Sequence, residues 1–277
     1  MSTSVGQPFL RWAGSKRQLL PVLARFWRDD YDRYVEPFAG SACLFFRLRP
    51  GKALLGDINS ELITTYQQVQ GGVDAVIAAL GELTKGPEHY AKLRATDPCT
   101  LSAADRAARF IYLNRFCFNG LYRTNRSGRF NVPYGGEKAG NLPSEEHMRT
   151  CSRLLRSAAL VAADFEVVLD QVRPGDFVYM DPPFSTKSRR VFNEYDPSTF
   201  GTQDVHRLRK RMEALATRDI AFLVSYDACY EAEALCDGFN TERVTVKRNI
   251  AGFAGSRGDC QELLIWNTTS RAQEEPR

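Results

Sequence analysis

Short apolar runs closed by acids or glycines alternate with segments of helical period at both ends of the chain. YVEPFAGSACLFFRL, residues 34–48, predicts a short strand, a turn around Gly40 and a helix. KALLGDINSELITTYQQV, residues 52–69, predicts a strand ending at Asp57, then a helix with Ile58, Leu62, Ile63 and Tyr66 on its apolar side. The rhythm resumes beyond residue 157 with AALVAADF, DFVYMDPPF, a helix after Gln203, IAFLVSYD, a short helix around Ala232, then TERVTVKR and QELLIW. Strands alternating with helices predict an α/β fold built on a mostly parallel sheet. The last two strands are joined by a stretch without helical pattern, which suits an antiparallel hairpin.

Between Gly71 and Arg156 the pattern changes. VDAVIAALGEL, EHYAKLRA and SAADRAARFIYLNRF have helical period, whereas FNGLYRTNRSGRFNVPYGG is polar, aromatic, glycine-rich and aperiodic. That stretch predicts a hairpin or long loop, and a segment so long without regular pattern is usually functional. The chain therefore divides into a main domain of residues 1–70 and 157–268, an inserted, mostly helical subdomain of 71–156, and a frayed tail of 269–277.

Composition narrows the class. Hydrophobic residues at 43% and charged residues at 25% are ordinary globular values. No run of about 18 apolar residues occurs, so no membrane span is expected. MSTSVGQPFLRWAGSK has no apolar signal core, and the seven cysteines are scattered without a CxxC pair. Both features fit reduced thiols in a cytoplasm. The three histidines, His89, His147 and His206, lie far apart, so no metal is expected. The net charge is only +4, but basic residues gather locally. The groups are Arg123, Arg126 and Arg129, then Lys187, Arg189 and Arg190, then Lys247, Arg248 and Arg257. Any one group reads more readily as a solvated surface than as a binding site; three in loop-like segments make a polyanion partner more credible.

The sharpest chemical signal is VYMDPPF. Val178 to Met180 read as the end of a buried strand, which Pro182 and Pro183 cannot continue inside a sheet. Asp181 is thus placed just past a strand end on a stiff backbone. An exocyclic amine on a base is a poor nucleophile, because its lone pair is conjugated with the ring. Two acceptors aimed at its N–H groups favour the pyramidal, nucleophilic form, and Asp181 and the Pro182 carbonyl could supply them. Phe184 offers a face on which a flipped base can stack. The alternative is a Pro-rich turn with Asp181 as a turn residue. Asp57 also closes a strand, where an acid can accept from ribose hydroxyls. It reads equally well as the cap of a helix starting near Asn59.

Five ordered segments resemble one family, the Dam-like, α-ordered (D12) DNA adenine-N6 methyltransferases. FLRWAGSK is similar to the family's FLKWAGGK, EPFAGSACLF to EPFxGxGxVF, and GDINSELI to ADINxxLI. YLNRFCFNGLYRTNRSGRFNVPYG is similar to LNRxxYNGLxRxNxxGxFNVPxG, and DPPF belongs to the DPPY catalytic class. The resemblance implies a seven-stranded Rossmann-like methyltransferase sheet with an inserted target-recognition subdomain. It implies S-adenosylmethionine as cofactor and site-specific methylation of adenine N6 in duplex DNA, by direct displacement without a metal. Trp12, Lys16, Phe38, Ala39 and Gly40 would border the cofactor, Asp57 would accept from its ribose, and Asp164 and Phe165 would lie beside its adenine. Asp164 also reads as a helix N-cap. Asp181, Pro182, Pro183 and Phe184 would hold the target adenine, with Asp181 also near the cofactor. Arg11, Asn119, Leu121, Arg123, Arg126 and Arg129 would face DNA. Arg123 would either read guanine or hold a phosphate, and Arg126 and Arg129 would hold phosphates. A monomer is expected, with a cognate restriction endonuclease as a candidate partner.

Several positions depart from the family pattern, among them Arg11, where lysine is common. Ser15 and Ala42 stand where the family has glycine, Phe184 replaces the commoner tyrosine, and Gly136 stands where GATC-reading members carry arginine. A positive φ at residue 15 would cost a serine about 1 kcal/mol. The Gly136 departure leaves the recognition sequence open. Two other readings share these residues: an RNA adenine-N6 methyltransferase, and a DNA-binding regulator that has lost catalysis.

Overall fold

A computed structural model describes residues 6–125, 127–183, 200–228, 230–248 and 258–267. The strands are β1 (Arg33–Glu36), β2 (Ala53–Asp57), β3 (Ala158–Ala162), β4 (Asp176–Met180), β5 (Ala221–Asp227), β6 (Asn240–Arg248) and β7 (Gly258–Trp266). They form one seven-stranded sheet in the order β3-β2-β1-β4-β5-β7-β6. Neighbours among β1 to β5 are parallel, and β7 runs antiparallel to both β5 and β6. The α/β expectation and the terminal hairpin both hold.

Side chains alternate between two apolar clusters, as the two-residue period of a strand requires. Tyr34, Leu55, Phe177, Tyr179 and Leu223 enter one cluster. Val35, Leu54, Val178, Met180 and Phe222 enter the other. Both faces are covered, which is why the central strands read as continuous apolar runs. The first face carries α1 (Leu20–Ala24), α2 (Cys43–Leu48), α3 (Ser60–Gly81), α5 (Ala103–Phe116) and α6 (Glu145–Leu155). The second carries α7 (Phe165–Leu169), α8 (Thr202–Thr217) and α9 (Tyr230–Cys236). A third cluster, around Tyr90 of α4 (Pro87–Ala95), Tyr112, Phe116 and Val132, lies where α4 and α5 meet the glycine-rich stretch.

Three details differ from the sequence pattern. Ile58 does not join the apolar side of α3: it is 63% exposed and precedes the helix, whose N-cap is Asn59. The helix expected from residue 73 is the second half of α3, which continues through a kink at Gly72 (φ −143°, ψ 41°). The kink falls beside residue 71, and α5 and α6 share the core of the first sheet face with α3. Finally, α6 is a helix absent from the elements expected above. Ser144 caps it through the His147 N–H, and Met148, Cys151, Ser152 and Leu155 are buried at helical spacing.

Gly56 sets how closely α7 lies on β2. A Cβ there would stand 2.4 Å from Cγ2 of the buried Val168. Gly56→Ala should therefore lower the unfolding free energy by about 1–3 kcal/mol. Gly71→Ala, in α3 with nothing near its added Cβ, should raise it by about 0.5–1 kcal/mol. Chemical unfolding midpoints of the two variants check both signs.

Candidate active site

The chain leaves β1 toward β2 on one side, and leaves β4 toward β5 on the other. The loops beyond these two adjacent strands diverge, and the crevice they open is where ligands of such sheets bind. Glu36 ends β1 and leads into Pro37–Ala42; Asp181, Pro182 and Pro183 follow β4. Pro182 is buried and Pro183 exposed. Neither can donate to a neighbouring strand, so pairing stops where Asp181 begins.

Asp181 sits in a buried charge cluster. Lys16 Nζ lies 3.0 Å from Asp181 Oδ1 and 3.4 Å from Glu262 Oε2. The Lys16 side chain is 4% exposed and that of Glu262 3%. Ser225 Oγ donates to Asp181 Oδ1 at 3.1 Å. Burial pushes the Asp181 carboxyl above its ordinary range, while the Lys16 ammonium and the Ser225 hydroxyl pull it back. Next to it, Glu36 is buried, accepts from Tyr34 Oη at 3.0 Å, and is pushed well above its ordinary value by burial.

Asp57 accepts from the backbone N–H of Gly40 on Oδ2 and of Asn59 on Oδ1, both at 2.9 Å. It ties the turn after β1 to the end of β2, and the cap of α3 is Asn59 itself. Gly40 is in the left-handed region (φ 45°), and a Cβ there would meet Trp12 at 2.8 Å. Phe38 stacks on Phe165 with centroids 5.1 Å apart, and Ala39 is buried beside it. Asp164 caps α7 through the Glu166 N–H, and its Oδ1 also accepts from Arg207 Nη2 at 2.6 Å. The Arg207 guanidinium lies 4.7 Å above the Phe165 ring.

The segment from Arg11 to Lys16 joins this crevice to the glycine-rich stretch. Trp12 stacks on Tyr122 at 5.8 Å, and a Cβ on Gly120 (φ 66°) would stand 2.8 Å from Arg11 Cβ. Asn114 clamps the Arg11 backbone, accepting its N–H at 2.8 Å and donating to its carbonyl at 2.6 Å. The stretch is a hairpin, with antiparallel bridges at Cys117–Tyr134 and Thr124–Phe130. Asn119 is exposed in the left-handed region (φ 55°), and Leu121 packs against the third cluster. Arg123 Nε donates to Asn131 Oδ1 at 2.7 Å, and Arg129 is exposed at the tip. Phe184, Arg126, Lys187, Arg189, Arg190, Arg257 and the tail lie outside the described residues.

Residues 12–250 match the family model described as D12 class N6 adenine-specific DNA methyltransferase. The chain belongs to this methyltransferase class. It is 35% identical to the Type II methyltransferase M1.LlaDCHI of Lactococcus lactis subsp. cremoris, over 94% of this chain and 95% of that one. It is 34% identical to the Type II methyltransferase M.MjaIII of Methanocaldococcus jannaschii, over 94% and 99%. A DNA adenine methylase of Haemophilus influenzae is 28% identical over 93% and 92%. The protein is an adenine-N6 DNA methyltransferase, and its substrate is DNA.

Among the described residues, Lys16 meets Asp181, Asp57 holds Gly40, Gly40 packs on Trp12 and Phe38 stacks on Phe165, while Asn119, Leu121, Arg123 and Arg129 lie on the hairpin that adjoins Arg11. Ser15 is not in the left-handed region; Gly14 takes it instead (φ 83°). Ala42 does occupy that region (φ 50°), the strain a glycine would relieve. Sequence reasoning missed Glu36, Ser225 and Glu262, whose signal is a polar residue within an otherwise apolar strand run. It also missed Phe118, 42% exposed beside Asn119. Arg17 and Arg115 stand near Arg11, and burial with these two like charges pushes Arg115 down to about 10. Among the described residues no helix is long and apolar enough to cross a membrane.

Lys16→Met leaves Asp181 and Glu262 without their shared cation. It should cost on the order of 3 kcal/mol of stability at neutral pH. Loss of Lys16 raises Asp181 further above its unfolded value, so the variant's stability falls as pH rises through Asp181's titration. The gap to wild type should narrow on acidification, as unfolding at several pH values would reveal.

Proposed function

We propose that the enzyme transfers the methyl group of S-adenosylmethionine to N6 of an adenine turned out of duplex DNA at a specific sequence. The observation that carries this reading is Asp181. It stands at the switch point of the sheet on a Pro-Pro backbone, beside a buried ammonium.

The crevice residues fit the cofactor. Asp57 makes one backbone bond per oxygen, and each carboxylate oxygen has about two acceptor sites, so it can still accept from vicinal ribose hydroxyls. Phe38, Phe165 and the exposed Ile58 offer apolar surface to a purine, and Asp164 an acceptor for its amine. Trp12, Lys16, Ala39 and Gly40 wall the same turn. When bound, S-adenosylmethionine supplies an electrophilic methyl group on a sulfonium. Asp181 and the Pro182 carbonyl accept from the two N–H groups of the target amine. As N6 becomes cationic, the Asp181 carboxylate stabilises it, and can accept its proton. Phe184 stacks on the adenine in this reading.

DNA lies along the hairpin of the 71–156 subdomain. Asn119, Leu121 and the exposed Phe118 approach bases, while Arg11, Arg126 and Arg129 hold phosphates. Arg123, anchored through Nε, presents its terminal nitrogens to a guanine. The enzyme acts in the cytoplasm as a monomer, since a duplex offers its second strand in a separate encounter. The Type II names of two relatives support a cognate restriction endonuclease as partner.

Incubation with S-adenosylmethionine and unmethylated genomic DNA, followed by base-resolution mapping, should give N6-methyladenine within one enriched motif. Asp181→Ala should abolish it while cofactor affinity stays within a few fold. No N6-methyladenine from folded, cofactor-bound wild type would redirect the reading to RNA or to a silent binder. Arg123→Ala should relax choice at one base pair by about 1–3 kcal/mol. Equal weakening on every sequence would make Arg123 a phosphate contact.

A further inference from the structure

We propose that Ser225, backed by Tyr179, is a positioning residue: it ties one oxygen of Asp181 to the protein and so presents the other to the adenine amine. The inference rests on the function proposed above. Ser225 is fully buried on β5, beside the strand that delivers Asp181. Its Oγ donates to Asp181 Oδ1 at 3.1 Å and lies 2.9 Å from Tyr179 Oη. A hydroxyl has a single proton to give. Since Ser225 gives that proton to Asp181, the phenol of Tyr179 must donate to Ser225, and the chain of bonds runs one way, from Tyr179 through Ser225 to Asp181. Burial keeps the phenol protonated by pushing it well above its ordinary value.

Lys16 Nζ reaches the same oxygen, Oδ1, at 3.0 Å. Both donors converge on one side of the carboxylate, and Oδ2 accepts no hydrogen bond among the described residues. Turning the carboxylate about its Cβ–Cγ bond would break both contacts, so its orientation is set before substrate arrives. Glu262 holds Lys16 from the other side, at 3.4 Å. Its formal charge leaves the three groups net negative, so the ammonium does not cancel the charge that Asp181 offers to a cationic N6. Among the described residues, the ionisable groups around Asp181 are Lys16, Glu262 on β7, Tyr179 on β4, Glu36 on β1 and Cys43 on α2.

Two substitutions move Asp181 in opposite directions. Ser225→Ala removes a donor to the ionised form, so Asp181 should titrate at higher pH. Glu262→Gln removes a negative neighbour, so it should titrate at lower pH. Both shifts can be read without turnover, by NMR of the free enzyme labelled with 13C at aspartate carboxyls, with Asp181→Asn assigning the signal. In DNA methylation assays, Ser225→Ala should lower kcat about tenfold, with half-saturation for DNA and cofactor within about twofold of wild type. The acid limb of its kcat profile should move to higher pH. Tyr179→Phe, which keeps the serine, should shift titration and kcat in the same direction by less. Unmoved titration with kcat within about twofold of wild type would overturn the proposal. So would a joint fall of kcat, cofactor affinity and thermal midpoint without a titration shift, since that marks a merely structural residue. Wild type that fails to methylate adenine would remove the parent reading instead, while the opposed titration shifts would still report the clamp on Asp181.

Discussion

The buried contact between Lys16 and Asp181 is the constraint from which the rest of the site follows. Taking an ammonium to 4% exposure costs several kcal/mol unless acids meet it with good geometry. Asp181 and Glu262 supply them from β4 and β7, two strands that flank β5. The pair therefore does more than neutralise charge. It fastens Lys16 against the end of β4 and against β7 in the second half of the chain.

That fastening carries over to the DNA side. Arg11, Trp12 and Lys16 lie within six residues of one another, and each contacts a different structure. Lys16 meets the strand ends, Trp12 lies between the Gly40 turn and Tyr122, and Arg11 rests on Gly120 and Asn114. Glycine is required at both close approaches, because a Cβ at Gly40 or Gly120 would overlap the side chain it packs on. A short segment thus contacts both the hairpin and the strand ends.

Much of this was legible in the sequence because it is written in local rules. DFVYM followed by two prolines ends a strand wherever it folds, and Asp57 and Asp164 close apolar runs as strand-end acids do. The hairpin is likewise announced by its glycines, asparagines and lack of period. The illegible parts depend on pairing across long separations. Ser225 and Glu262 look like polar interruptions of LVSYD and QELLIW until β5 and β7 are set beside β4 and Lys16. Ile58 fits the helical period of α3, but Asn59 starts the helix one residue too late to bury it.

Glu36, Asp57 and Asp181 end three neighbouring strands, and their surroundings divide the labour among them. Among the described residues Glu36 accepts from a phenol, and burial drives it toward its neutral form. Asp57 meets two backbone N–H groups, which favour its anion and also hold the loop that must pass close to a ligand. Among the described residues, Asp181 is the one of the three that meets an ammonium, which opposes the same burial penalty. Similar acids at equivalent places on one sheet thus meet three different surroundings. The difference lies in which donor each strand end finds across the fold. For Asp181 that donor comes from a lysine near the start of the chain, which is why its chemistry cannot be separated from the order of the strands.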